Sequence, residues 1–120
     1  WGIFNSNVQS GDYQAGFMAW GAYYNDPYDT LSLLLTGSTA INTGWANEEY
    51  DSILNAATAE MDEETRMQEY IKAEQILINE EGVVSPMATN QVQRFFQPYV
   101  KGYSDLGFTN TGSKYIYIEN

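Results

Sequence analysis

The side chains in this sequence able to act on a ligand or substrate are carboxylates and aromatic rings. The carboxylates come as neighbours, in Glu48-Glu49, Glu63-Glu64 and Glu80-Glu81. Two carboxyls can cleave a glycosidic bond only when they converge across a cleft, and nothing in this spacing sets them so. The first two pairs fall in first helical turns, where the macrodipole favours anions, and the third falls at a helix end, where it is slightly unfavourable. All three read as solvated. The aromatics Trp20, Tyr23 and Tyr24 lie on an apolar run, a setting that more often means core or interface than ligand wall. The chain has no histidine and no cysteine. That removes the usual general base near neutral pH, the thiol nucleophile, the disulfide and the commonest transition-metal ligands. With no calcium loop, phosphate loop or nucleophile elbow either, an enzyme is the class least supported, and no cofactor or metal is implied.

Charge narrows the partners. Sixteen acidic residues stand against five basic ones, a formal net charge of -11. Nucleic-acid binding requires clustered Lys and Arg to neutralise phosphates, but Arg66, Lys72, Arg94, Lys101 and Lys114 are scattered singly. Anionic membrane surfaces are disfavoured on the same ground. No stretch approaches the eighteen or so apolar residues of a membrane span, so no direct membrane insertion is expected. At 120 residues, 43% hydrophobic and 15% aromatic, the chain is too apolar for a disordered tail and long enough for one modest core. It opens on Trp1 with no charged leader before an apolar run, so it is expected to be cut from a longer protein, and a signal peptide is not to be looked for here.

Periodicity and capping residues divide the chain into elements. Residues 12–20, entered through Ser10-Gly11, carry Tyr13, Phe17 and Trp20 and read as a buried strand. Asp26 caps and Pro27 opens a short helix over 27–36, stopped at Gly37. A polar Thr- and Gly-rich loop fills 37–46. Asn47 caps the next helix, with the apolar stripe Tyr50, Ile53, Leu54, Ala57 and Met61. Asp62 caps another, with Asp62 and Arg66 spaced for an i,i+4 pair and a stripe of Met67, Tyr70, Ile71, Leu77 and Ile78, Glu74 at its margin, ending at Gly82. The two form a helical hairpin expected to lie over a sheet. Residues 83–88 and 91–96 read as strands, the first an edge because of Pro86, with a short extended piece at Tyr99-Val100. Residues 104–113 read as loop and 114–118 as a final strand. The pattern is an α/β or α+β mix.

With the elements set out, a resemblance becomes legible. Gly11-Asp12-Tyr13 before an apolar run, then Trp20, then Tyr24-Asn25-Asp26-Pro27, resembles a segment of family 5 of the bacterial extracellular solute-binding proteins, the oligopeptide- and dipeptide-binding proteins of ABC importers. Trp45-Ala46-Asn47 with Glu49-Tyr50-Asp51, the stretch Tyr70 to Leu77, Val84-Ser85-Pro86-Met87, and Gln97 to Tyr103 are similar to later pieces of the family, in order, from about residue 11 to 103. The resemblance implies a fragment of the second lobe of a periplasmic-binding-protein-like fold, a helical hairpin packed on a small mixed sheet. Residues 1–103 would be the carboxy-terminal part of that lobe. Residues 104–120 would be a returning tail whose final strand packs on a first lobe outside this chain. Without that lobe, Ile116 and Ile118 would be loosely ordered, swapped with another molecule, or paired with Ile3-Phe4.

The resemblance also implies a function: capture of extracellular peptides for import, with a membrane permease as partner of the full-length protein and a location outside the cell, periplasmic or as a cell-surface lipoprotein. Peptide capture needs backbone pairing, a counter-charge for the ammonium end, and pockets for side chains. In the family the strand-to-helix passage supplies part of this, and it maps onto Trp20, Gly21, Ala22, Tyr23, Tyr24 and Asn25. Many members carry an aspartate two residues before the asparagine, pairing with the ligand's amino terminus, where this chain has Tyr23. A desolvated ammonium without its carboxylate costs about 3–5 kcal/mol, whereas a tyrosine face returns about 1–2 kcal/mol. Phe17 stands where some members place a ligand-facing arginine. The amine is then held from elsewhere, or the ligand binds in another register or with a blocked terminus, or the ligand is a sugar or other solute. An independent surface interaction module is the remaining alternative.

Overall fold

The computed structural model describes residues 1–89, 91, 93–103 and 113–119. They fall into two compact units, Trp1–Trp20 with Asp26–Ser85, and Gly21–Asn25 with Pro86–Asn120.

The first unit is built on a helical hairpin whose ends are set by local chemistry. Asn47 takes an extended conformation and its side chain accepts the Tyr50 N–H at 3.0 Å, opening α3 at Glu48–Ala59. Asp62 opens α4 at Glu63–Gln75 likewise, accepting the Thr65 N–H at 2.8 Å and its hydroxyl at 2.7 Å. Those bonds hold the Asp62 carboxyl below its ordinary range, with the Arg66 charge adding to the effect. A π-helical turn, Ile76–Glu80, continues α4 up to Gly82.

The buried faces are narrower than the stripes predict. On α3, Tyr50, Leu54 and Ala57 are fully buried. Met61 is 92% exposed, because the helix ends at Ala59 and Glu60 is extended, so helical spacing no longer places residue 61. On α4 the buried residues are Tyr70 and Ala73, followed by Ile76 and Leu77 in the π turn, while Met67 and Ile71 are exposed. The face has turned toward the small Ala73, and the larger Met67 and Ile71 stand at its rim.

Within the first unit, the hairpin's buried side is covered by a short helix and a loop. Pro27 has helical dihedrals, α2 runs Tyr28–Leu31, and a 3₁₀ turn, Ser32–Leu34, completes the expected 27–36 element in a tighter form. Leu31 and Leu34 join the hairpin residues in one core, with Tyr28, Leu35, Ile41 and Trp45 packed at its edge. Tyr50 links these layers: its buried hydroxyl donates to the Leu31 carbonyl at 2.7 Å and the Trp45 ring meets it edge-on at 5.0 Å. Thr36 N–H donates to the Asp51 carboxylate at 3.1 Å, fixing the 37–46 loop at its start.

Burial, with the Asp51 and Glu74 charges, pushes the Tyr50 phenol well above its ordinary 10.0. The folded group keeps its proton at pH values where the unfolded one loses it. The Tyr50 contribution is therefore whole below about pH 10 and is lost as pH rises beyond that. Urea midpoints measured from pH 8 to 11 should fall at the alkaline end, and Tyr50→Phe should flatten that fall while costing about 1 kcal/mol at pH 8.

A helix that the sequence pattern does not announce, α1 at Gly2–Ser10, begins the chain. It buries Val8. Asn42 grips its end: the Asn42 amide side chain donates to the Gln9 carbonyl at 3.2 Å, its N–H to the Val8 carbonyl at 3.3 Å, and its own carbonyl accepts the Tyr13 hydroxyl at 3.0 Å. The expected strand over 12–20 is not formed. The segment is irregular and mostly exposed, since a strand is stabilised by a neighbour's ladder and no described residue supplies one.

The second unit holds a two-stranded antiparallel sheet, β1 at Val100–Lys101 and β2 at Tyr117–Ile118, pairing Val100 with Ile118 and Lys101 with Tyr117. The Glu119 N–H extends the pairing to the Tyr99 carbonyl at 2.9 Å, and Lys101 meets Glu119 at 3.4 Å. The expected strands over 83–88 and 91–96 are irregular at their described positions, and the sheet formed by the described residues is antiparallel, not mixed. The last strand is shorter than 114–118, with a 3₁₀ turn, Ser113–Tyr115, before it. Its partner is β1 and not Ile3-Phe4, which lie in the first turn of α1. The loop expected over 104–113 lies almost wholly outside the described residues. Phe96 packs on Tyr103 at 4.2 Å, Arg94 sits over the Tyr103 ring at 6.0 Å, and Lys114 over Tyr115 at 5.4 Å.

Candidate functional site

The six residues singled out in the sequence lie in one run with no regular secondary structure. The strand expected to carry them into α2 is absent for the same reason as over 12–20, and residues 23–26 form a series of bends. Trp20 belongs to the first unit and is 42% exposed. Gly21–Asn25 belong to the second, where Tyr23 is 62% and Tyr24 48% exposed, Gly21 and Asn25 are exposed and Ala22 is half-buried. None of the six is sealed in a core. Phe17 is 72% exposed as well. Large rings at that exposure offer flat apolar faces, and tyrosine hydroxyls add donors and acceptors at the rim.

The residue that ends the run, Asp26, is held firmly. It accepts the Tyr28 N–H on Oδ1 at 2.9 Å and its carbonyl accepts the Asp29 N–H at 3.1 Å; the cap position of α2 falls one residue later than expected, at Pro27. Its second oxygen faces Arg66 Nε at 3.6 Å. Arg66 therefore reaches across to the start of α2, while its charge also acts on Asp62, whose Oδ1 accepts from Thr65. The long-range pair is hidden from sequence because two candidate carboxylates compete for Arg66 and only the nearer one has a helical spacing.

A concavity of about 210 Å³ opens in the first unit along the 35–46 loop, between Leu35, Ile41 and Trp45. Its polar groups are largely used within the loop: the Asn42 carboxamide oxygen accepts Gly44 N–H at 3.2 Å and the Thr43 hydroxyl accepts Trp45 N–H at 3.2 Å. Among the described residues no three carboxylates gather into a metal-binding group, and no helix is long and apolar enough to cross a membrane.

No family model matches the chain. Individual relatives do. The chain is 35% identical over 92 residues to the dipeptide-binding protein DppE of Bacillus subtilis, covering 77% of this chain and 17% of that protein. It is 32% identical over 120 residues to the periplasmic oligopeptide-binding protein OppA of Haemophilus influenzae, covering 100% of this chain and 21% of the relative. Against the oligopeptide-binding protein OppA of Bacillus subtilis the identity is 30% over 121 residues, again with 100% and 21% covered. The chain thus spans about a fifth of the length of these relatives. On sequence likeness along its whole length, with a helix-rich fold and one small sheet, the chain belongs to the family 5 solute-binding proteins that include these oligopeptide- and dipeptide-binding proteins.

Proposed function

We propose that the chain is part of the second ligand-binding lobe of a substrate-binding component of an ABC importer, one that captures oligopeptides outside the cell. The observation that carries this reading is the end-to-end likeness to peptide-binding relatives. The exposed rings of the 20–25 run support it. In this reading Trp20, Tyr23 and Tyr24 form part of a wall for peptide side chains, Gly21 and Ala22 present backbone groups to the extended ligand, and Asn25 closes the run at its α2 end. The 113–119 segment belongs to a returning tail, the membrane permease is the partner of the whole protein, and the compartment is periplasmic or cell-surface, where a lipid anchor would serve. Its task is binding, and no reaction is assigned to it.

Tyr23 in place of a carboxylate argues for a ligand whose amine is met by other residues of the whole protein, or whose terminus is blocked. Exposed indole and phenol faces also suit sugar rings, and this second reading rests on the same three residues. Thermal unfolding of the whole protein against a peptide library separates them. A ligand at a hundred times its Kd adds about 2.7 kcal/mol of stability, so a clear rise in Tm with oligopeptides and none with oligosaccharides is expected. A flat response to every peptide, with a rise on oligosaccharides, would overturn the peptide assignment.

A further inference from the structure

The pair between Arg66 and Asp26 sits at the covalent joint between the candidate run and α2. Asp26 is bonded directly to Asn25. Both of its carboxylate oxygens are engaged, Oδ1 by Tyr28 N–H at 2.9 Å and Oδ2 by Arg66 Nε at 3.6 Å. Arg66 is itself fixed: Nη1 donates to the Glu60 carbonyl at 3.3 Å in the α3–α4 connection. Its Nε is buried and has no hydrogen-bond partner among the described groups, so the Asp26 carboxylate is the charge that offsets its loss of water. The side chains of the pair are 26% and 27% exposed, enough shielding to strengthen the attraction over a surface pair.

We propose that Arg66 is a positioning residue for ligand capture: it fixes Asp26, the residue on which the Trp20–Asn25 run ends. The Asp26 carboxylate bonds the Tyr28 N–H at the start of α2, and Arg66 adds a tether from that carboxylate to the α3–α4 connection. A ligand-holding run tethered in advance loses less freedom on binding, and that saving appears as affinity. The inference rests on the assignment of the run to the binding site.

The test uses the whole protein with Arg66→Met, Asp26→Asn and the double variant, each checked for unchanged far-UV circular dichroism. Peptide Kd by calorimetry well below the melting temperature is expected to rise about three- to tenfold in either single variant, with the double variant no weaker than the singles because one tether is removed in each case. Arg66→Lys should recover part of the affinity, since it keeps the charge and loses the fork. Amide exchange at residues 21–25 without ligand should quicken in Arg66→Met by a similar factor. A lower Tm with Kd within twofold of wild type and unchanged exchange at 21–25 would overturn the proposal and leave the pair a purely structural one. Should the wild type bind none of the peptides, the peptide assignment falls by itself, and the exchange measurement still decides whether Arg66 fixes the run.

Discussion

Leu54→Ala should lower the stability of the hairpin unit by about 2–5 kcal/mol, more than any other aliphatic truncation on α3. Leu54 is wholly buried at the centre of α3, in the same core as Leu31, Tyr70 and Ala73. Removing it deletes the transfer energy of three carbons and leaves a void that helices capped at both N-termini cannot close by sliding. The midpoint of urea unfolding, followed by the far-UV signal of α3 and α4, reports the loss. Met61→Ala is the matched control: its side chain is 92% exposed, so its midpoint should move by no more than about 0.5 kcal/mol. Equal effects from the two would mean that the core is not where the buried Tyr50, Leu54 and Ala57 set it.

The second large effect is expected in the other unit. Gly102 has φ +72, and a Cβ built there would run into the Tyr115 carbonyl, which is backbone and cannot turn aside. Gly102→Ala therefore combines the left-handed penalty of about 1–2 kcal/mol with a clash that must separate β1 from the segment leading into β2. Gly37→Ala isolates the first of these costs, because Gly37 has φ +78 and open space around it. The Glu119 amide, bonded to the Tyr99 carbonyl, is the reporter. Its exchange should quicken at least about tenfold in Gly102→Ala. Protection at Glu119 as high as in the wild type would show that the β1–β2 pairing does not need the glycine.

Which features can be read from sequence depends on how far away their causes lie. Asn47 and Asp62 announce helix starts because a cap is satisfied by an N–H three residues on, and the structure has both bonds. Asp26-Pro27 is legible because its cause is equally local, the Asp26 carboxylate accepting an N–H two residues on. Strands are different in kind. Residues 12–20, 83–88 and 91–96 have strand-like composition, but a ladder needs a partner, and composition cannot say whether one is present. The helix α1 is illegible from the opposite side. Its Asn, Ser and Gly content is poor for helix formation, and it is held at its end by Asn42, more than thirty residues away. Within the candidate run, the residue types point to a ligand wall only through the family likeness. Their exposure comes from tertiary structure.

The placement of the five basic residues governs how the chain meets dissolved ions. Arg66, Lys72 and Lys101 each lie against a carboxylate, and Arg94 and Lys114 over tyrosine rings. With all five side-chain cations already engaged locally, the excess of sixteen acids over five bases is left as uncompensated mutual repulsion. Added electrolyte, which shortens the reach of such forces to about 10 Å at 0.1 M, relieves more repulsion here than attraction, so moderate ionic strength favours the compact state.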